Sequence, residues 1–252
     1  SPVGRAAELT LNTAVADFGP GPGVRTYFAS LLVLYLLAIR LREVRDLVSQ
    51  EEANALRREL KRSADAIAAT IEINREPTRA LAEQLQTHKA LMFVGDGPNL
   101  GSALYSAAKI SEACGLHAMG QESEEWHHLQ YYITAMPGMP TFFISPGGRG
   151  HSRVAELMEP ARRIKRVVVA VVPQGDQALA PRADAVLPVA GVVREAFTPL
   201  VYGVPGALFA AQLCGVLRAT PFNGFQGDYD AYKPGANNSG NSPIVGRDAL
   251  PD

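Results

Sequence analysis

The residues Phe93-Val94-Gly95-Asp96-Gly97-Pro98-Asn99-Leu100-Gly101-Ser102, followed after a helical stretch by Glu122-Ser123-Glu124-Glu125-Trp126-His127-His128, carry the clearest chemistry in the chain. Glycines let backbone N–H groups approach a ligand closely, and a helix that opens at the end of the turn presents partial positive charge. The turn therefore suits an anionic or polyhydroxylated small molecule, with Gly95, Asp96, Gly97, Asn99 and Ser102 as candidate binding residues. The carboxylates and imidazoles downstream are groups that can move its protons. Glu124, Glu125, His127 and His128 lack HExxH-type spacing, so no metal is expected. Gly95, Gly97 and Gly101 also spell GxGxxxG. A dinucleotide site needs an acidic residue at the end of the next strand, and the next clear strand starts only at Thr141, so no cofactor is expected either.

A strand must deliver that turn and a helix must leave it. Ala90 to Val94 reads as the strand and Gly101 to Cys114 as the helix. Further strands are expected at Thr141 to Ile144, Arg166 to Val172 and Ala185 to Val189, with helices at Val154 to Ile164 and Pro199 to Leu217. Short β-branched runs without strict alternation, each followed by a helix, argue for a parallel sheet covered on both faces, and such sheets bind ligands beyond the carboxyl ends of their strands. The second turn at such an end is Ser145-Pro146-Gly147-Gly148-Arg149-Gly150.

Upstream, Ser1 to Val24 reads as a strand or two closed by the breaker cluster Gly19-Pro20-Gly21-Pro22-Gly23. A helix from about Arg25 to Arg45 follows, and Val48 to Thr87 reads as two amphipathic helices broken near Pro77. Their arginines and glutamates form a solvated face.

The 252 residues carry 24 basic and 25 acidic side chains and are 47% hydrophobic, which describes a soluble globular protein without the charge signature of a nucleic-acid partner. The apolar run Tyr27 to Ile39 is shorter than the roughly 20 residues of a spanning helix and is read as a buried core helix, with no membrane role. Cys114 and Cys214 each lie in apolar helical stretches and are read as buried thiols in a cytoplasmic protein.

The motif Phe93-Val94-Gly95-Asp96-Gly97, then Ala103-Leu104, Lys109-Ile110-Ser111-Glu112, His117-Ala118 and Glu122 to His128, resembles the second sugar isomerase (SIS) domain of glucosamine-6-phosphate synthase and of sugar-phosphate deglycases. Glu195 to Leu217, with Pro199-Leu200-Val201-Tyr202-Gly203-Val204-Pro205, resembles the last helix of that domain. Ser1 to Glu8, and Gly23 to Tyr27 leading into an apolar helix, resemble the closing third of a first SIS domain. The resemblance implies a three-layer αβα sandwich in a double-SIS arrangement. Residues 1–45 end an incomplete first domain, 46–86 connect, 87–222 form the second domain and 223–252 a tail. A complete double-SIS protein would carry further residues before Ser1, including a Ser/Thr-rich phosphate loop, so the resemblance implies either part of a longer protein or a degenerate form.

Carried over residue by residue, the resemblance makes Glu112 the base that shuttles a proton between C1 and C2 of the sugar and Lys109 its companion. The ring-opening histidine, supplied across a dimer interface, is matched by His128, sixteen residues after Glu112, with His127 the competing candidate because adjacent helical residues point about 100° apart. The partners implied are a phosphorylated sugar or amino sugar and a second copy of the chain, with active sites shared in a homodimer. The tail lysine that forms a Schiff base in the synthase falls at Tyr229 in an ungapped count, which leaves Lys233 as the tail's one lysine. No N-terminal cysteine nucleophile of a glutaminase is matched. The implied activity is aldose-ketose isomerisation, or deglycation of a phosphorylated aminoketose; the alternative is a non-catalytic sugar-phosphate-binding regulator.

Overall fold

The computed structural model describes residues 2–16 and 21–222. Helix α1 (Pro2–Ala6) is short, α2 spans Val24–Val44 and α3 spans Gln50–Leu85. There follow β1 (Ala90–Gly95), α4 (Asn99–Cys114), β2 (His117–Gln121), α5 (Ser123–Leu129) and β3 (Pro140–Ile144). The chain continues through α6 (His151–Arg163), β4 (Val167–Pro173), β5 (Ala185–Val189), α7 (Pro199–Tyr202) and α8 (Val204–Leu217).

All five strands pair in parallel, in the order β2-β1-β3-β4-β5. Leu91, Phe93, Phe142, Ile144, Val169 and Val171 point to the face covered by α3, α4 and α8. Met92, Val94, Phe143, Val168, Ala170 and Val172 point to the other face, where Trp126 of α5 and Val154, Leu157 and Met158 of α6 cover them. This is the three-layer α/β sandwich expected, and its chain order reverses between β1 and β3, so a crevice opens at their carboxyl ends.

Several expectations need correction. The segment 87–222 contains a strand the sequence reading passed over: β2, whose residues His117-Ala118-Met119-Gly120-Gln121 hold no β-branched side chain but pair with Ala90 to Val94 at the sheet edge. Gly120 is needed there, because an added Cβ would lie 2.6 Å from the Leu104 backbone. Glu122 follows this strand directly, so the missing-acid argument against a dinucleotide site does not hold.

Pro77 does not break α3, which runs 36 residues as a single helix. Its buried stripe of Thr70, Asn74, Thr78, Leu81 and Leu85 stays on the core, and the Thr78 hydroxyl bonds the Asn74 carbonyl beside the proline at 2.5 Å. A Ser49–Glu52 capping box starts it. No strand forms in residues 2–16, which hold only α1.

Helix α2 is not a buried core helix. Ile39 is its one buried residue; Phe28, Leu31 and Tyr35 lean on the core, while Leu32, Leu34, Leu36, Leu37 and Leu41 are exposed. By length and hydropathy alone, Val24–Val44 and Glu195–Leu217 are each long and apolar enough to cross a membrane, the second with more than half of its apolar window packed inside the protein.

Candidate functional site

The expected site residues divide among three places. Lys109 and Glu112 lie on α4, where a cleft of about 630 Å³ separates its outer face from the start of α2. Gly23, Thr26, Tyr27 and Ser30 form one wall and Gly101, Leu104, Tyr105 and Ala108 the other. Lys109 Nζ stands 2.5 Å from Glu112 Oε2, with the lysine side chain 8% exposed and the glutamate 33%. The ammonium also lies 5.4 Å from the centre of the Tyr105 ring, on which Tyr27 stacks at 4.1 Å. Burial raises the phenols of Tyr27 and Tyr105, so both are neutral donors across the physiological range.

A lysine this deeply buried needs its counter-ion, because an unpaired charge in low dielectric is costly. Glu112 supplies that charge from one turn further on and keeps one edge in the cleft. A carboxylate in this position can accept a proton from a carbon held against the cleft, and the ammonium beside it can stabilise charge on a neighbouring oxygen.

The glycine turn forms a separate cavity of about 390 Å³ at the carboxyl ends of β1 and β3, lined by Asp96, Gly97, Asn99, Ser145 and Arg149 among others. Glu112 is thirteen residues along α4 from Asn99, roughly 20 Å at 1.5 Å per residue. The structure therefore does not bring the turn and the Lys109–Glu112 pair into one pocket.

Asn99 lines this cavity and Ser102 does not, and their side chains are joined in a chain of hydrogen bonds. Ser102 Oγ donates to Asn99 Oδ1 at 2.9 Å, and Asn99 Nδ2 donates to Thr198 Oγ1 at 2.8 Å, a chain that fastens the start of α4 to the start of α7. Gly95 is a packing glycine, since a Cβ there would lie 2.3 Å from the Asn99 carbonyl oxygen. Gly97 takes φ +51° and makes the turn.

Asp96 remains at the cavity wall. Its Oδ1 accepts the Ser123 backbone N–H at 3.0 Å, and burial followed by the nearby Glu122 carboxylate raises its pKa. Glu122 itself caps α5, accepting the Glu124 and Glu125 N–H groups.

His127 and His128 occupy the third place, on α5. His127 is half-buried against the Tyr131 ring, 5.5 Å between centroids, whereas His128 is exposed. Within one chain neither histidine lines the Lys109–Glu112 cleft. Arg166 holds the chain just beyond them: its buried guanidinium donates to the carbonyls of Gln130, Ile133 and Met136 at 3.0 to 3.2 Å. Lys233 and Tyr229, and Gly19 and Pro20 of the breaker cluster, lie outside the described residues. Among the described residues no group of three His, Cys, Asp or Glu side chains is placed to hold a metal. Cys114 and Cys214 are free thiols, half-buried, and burial pushes the Cys114 thiol up to about 12.

Sequence reasoning missed one constellation. Ser145 Oγ lies 2.9 Å from His151 Nδ1, and His151 Nε2 lies 3.0 Å from Asp176 Oδ2. The glycines around Ser145 drew attention to this loop, but Asp176 comes from the far end of β4, a pairing that only the sheet order reveals.

No family model matches the chain. It is 30% identical over 217 residues to the isomerizing glutamine–fructose-6-phosphate aminotransferase of Thermococcus kodakarensis, a match that covers 85% of this chain and 35% of the relative. The chain thus spans about a third of the length of the curated relatives it matches. Among solved structures, a phosphosugar isomerase of Clostridium difficile 630 superposes with a TM-score of 0.75 at 18% identity, over 87% of this chain and 60% of that one. The C-terminal domain of glucosamine-fructose-6-phosphate aminotransferase from Francisella tularensis superposes with a TM-score of 0.69 at 16% identity, over 77% and 54%.

Proposed function

We propose that the chain is a member of the sugar isomerase (SIS) family, whose fold it shares, and that it acts on a phosphorylated ketose or aminoketose, by aldose-ketose isomerisation or by deglycation. The observation that carries this reading is the Lys109–Glu112 ion pair set in an open cleft, where the lysine is buried and the carboxylate still meets the space a ligand would fill.

Glu112 takes a proton from the carbon next to the carbonyl, which leaves an enediol, or an enaminol if the substituent is an amine. Returning the proton to the adjacent carbon completes an isomerisation. In the deglycation branch the amine leaves with a proton and water completes the sugar. Lys109 holds Glu112 in place through the ion pair, and its charge is available to an oxygen on which negative charge develops. Ring opening falls to His128 of a second copy in a homodimer, since His128 is exposed and stands away from the cleft of its own chain. Lys233 is the candidate for a further contact from the tail. The relatives' names speak of phosphosugars; the ketose, the leaving group and the dimer are our reading.

Incubation with a panel of sugar 6-phosphates and their amino-acid adducts, followed by chromatography coupled to mass spectrometry, tests it. Conversion of a member of the panel, lost in Glu112→Gln, supports the enzyme. Tight binding without conversion supports a regulatory sugar-phosphate receptor instead.

A further inference from the structure

We propose that Ser145, His151 and Asp176 form a nucleophile, base and carboxylate relay, and that the cavity at the carboxyl ends of β1 and β3 hydrolyses a small, polar carboxylic ester. This site is distinct from the Lys109–Glu112 cleft, with which it shares no lining residue.

The hydrogen bonds determine the protonation of the imidazole. Asp176 Oδ1 accepts the N–H groups of Ala178, Leu179 and Ala180, at 3.1, 2.6 and 3.0 Å, which leaves Oδ2 to face His151 Nε2. An ionised carboxylate accepts only, so Nε2 carries the proton. In neutral imidazole Nδ1 is then the bare nitrogen, and it accepts the Ser145 hydroxyl proton at 2.9 Å. The order is hydroxyl, imidazole, oriented carboxylate, as the chemistry of an activated serine requires, with the two ring nitrogens exchanged relative to the protease arrangement.

Ser145 ends β3 and lines the cavity. Gly147, Arg149 and Gly150 line it too, and their backbone N–H groups donate to no group among the described residues. Gly147 and Gly148 take φ of +86° and +80°, a loop shape that L side chains rarely adopt. Unpaired N–H donors beside a serine are suited to an oxyanion. The volume of about 390 Å³ admits a small acyl group and a small alcohol.

The step balances without a redox partner. Ser145 Oγ bonds to the ester carbonyl carbon as its proton passes to His151 Nδ1. The tetrahedral oxyanion collapses, the bond from carbon to the alcohol oxygen breaks, and the alcohol leaves with the proton from Nδ1. Water then gives a proton to the same nitrogen as its oxygen bonds to the acyl carbon, and Ser145 Oγ departs with that proton. Ester and water become acid and alcohol.

The test treats the full chain with a fluorophosphonate probe and, separately, with p-nitrophenyl acetate. The expected result is one probe per chain, located on Ser145 by peptide mass spectrometry, and a burst of p-nitrophenolate. Ser145→Ala should abolish both. Asp176→Asn should slow labelling by at least about tenfold, because it disturbs the tautomer. Glu112→Gln, which removes only the proposed isomerase base, should label like the wild type. Circular dichroism verifies that each variant is folded. Absence of labelling in folded wild-type protein, or equal labelling of folded Ser145→Ala, overturns the proposal.

Discussion

Lys109 Nζ and Glu112 Oε2 meet at 2.5 Å across one turn of α4, with the lysine side chain buried and the carboxylate one-third exposed. The asymmetry gives the pair a direction. The ammonium is enclosed, with the Tyr105 ring 5.4 Å away, and its burial is compensated by the ion pair, whereas Glu112 keeps access to the cleft. Lys109→Met should therefore release Glu112 and lower turnover without abolishing it, and Lys109→Arg should fail to restore it, because the planar fork does not fit a point-charge site. Kinetics of the two variants on any substrate found would check this; full rescue by arginine would contradict it.

Glu112→Gln mixed with His128→Ala should recover part of the activity that each variant lacks, under conditions that allow subunit exchange. Some heterodimer sites then combine both intact residues. A monomer that stays active at micromolar concentration, or no recovery after verified exchange, removes His128 from the mechanism.

Arg166→Met should loosen residues 130–136. The guanidinium holds the carbonyls of Gln130, Ile133 and Met136, and hydrogen bonds from a charged donor contribute about 1.5–3 kcal/mol each. Denaturant unfolding should show a loss of at least about 2 kcal/mol, and amide exchange should rise first in this segment. An unchanged exchange pattern would mean that the clamp is not needed.

Gly120→Ala should destabilise the sheet edge by about 1–3 kcal/mol, the usual cost of overpacking, since the new Cβ meets backbone and not a movable side chain. A thermal melt reads the effect directly.

Asp96 should make stability fall as pH rises through the weakly acidic range. Burial, then Glu122, raises its pKa in the folded state above the ordinary value near 4, so the folded form binds the proton more tightly than the unfolded chain. That contribution is present at low pH and is lost as the group ionises. Asp176 runs the opposite way. Burial works against it, but the N–H donors of Ala180, Leu179 and Ala178, together with His151, lower its pKa, so its contribution holds above about pH 4 and fades as pH falls. Unfolding of Asp96→Asn across pH 4 to 7 should show a flatter profile than the wild type.

What the sequence made legible follows from burial. β1, β3 and β4 are continuous apolar runs buried on both faces, and α4 keeps its spacing, so Lys109 and Glu112 could be placed on one face before any coordinates. β2 was illegible because His117, Gly120 and Gln121 carry no strand signal; its pairing with β1 and the close approach of α4 create it. Pro77 looked like a helix end because local rules ignore the core contacts that hold α3 straight through it. The glycine turn and Glu112 looked like one site because they are near in sequence, yet a straight helix carries them apart. Asp176 lies 25 residues beyond His151, and only the parallel pairing of β3 with β4 returns it to Ser145.

The central claim is that Glu112 moves a carbon-bound proton of a sugar phosphate, and isotope exchange reads that step without regard to which product is released. Ketose and aldose 6-phosphates, and their amino derivatives, are incubated with the protein in D2O and followed by proton NMR. Wild-type protein should replace a C1 or C2 proton of its substrate with deuterium, and Glu112→Gln should slow the exchange by about 10²- to 10⁴-fold while remaining folded. Exchange at the wild-type rate in Glu112→Gln would contradict the account, as would no exchange from any of these sugars with the wild-type protein.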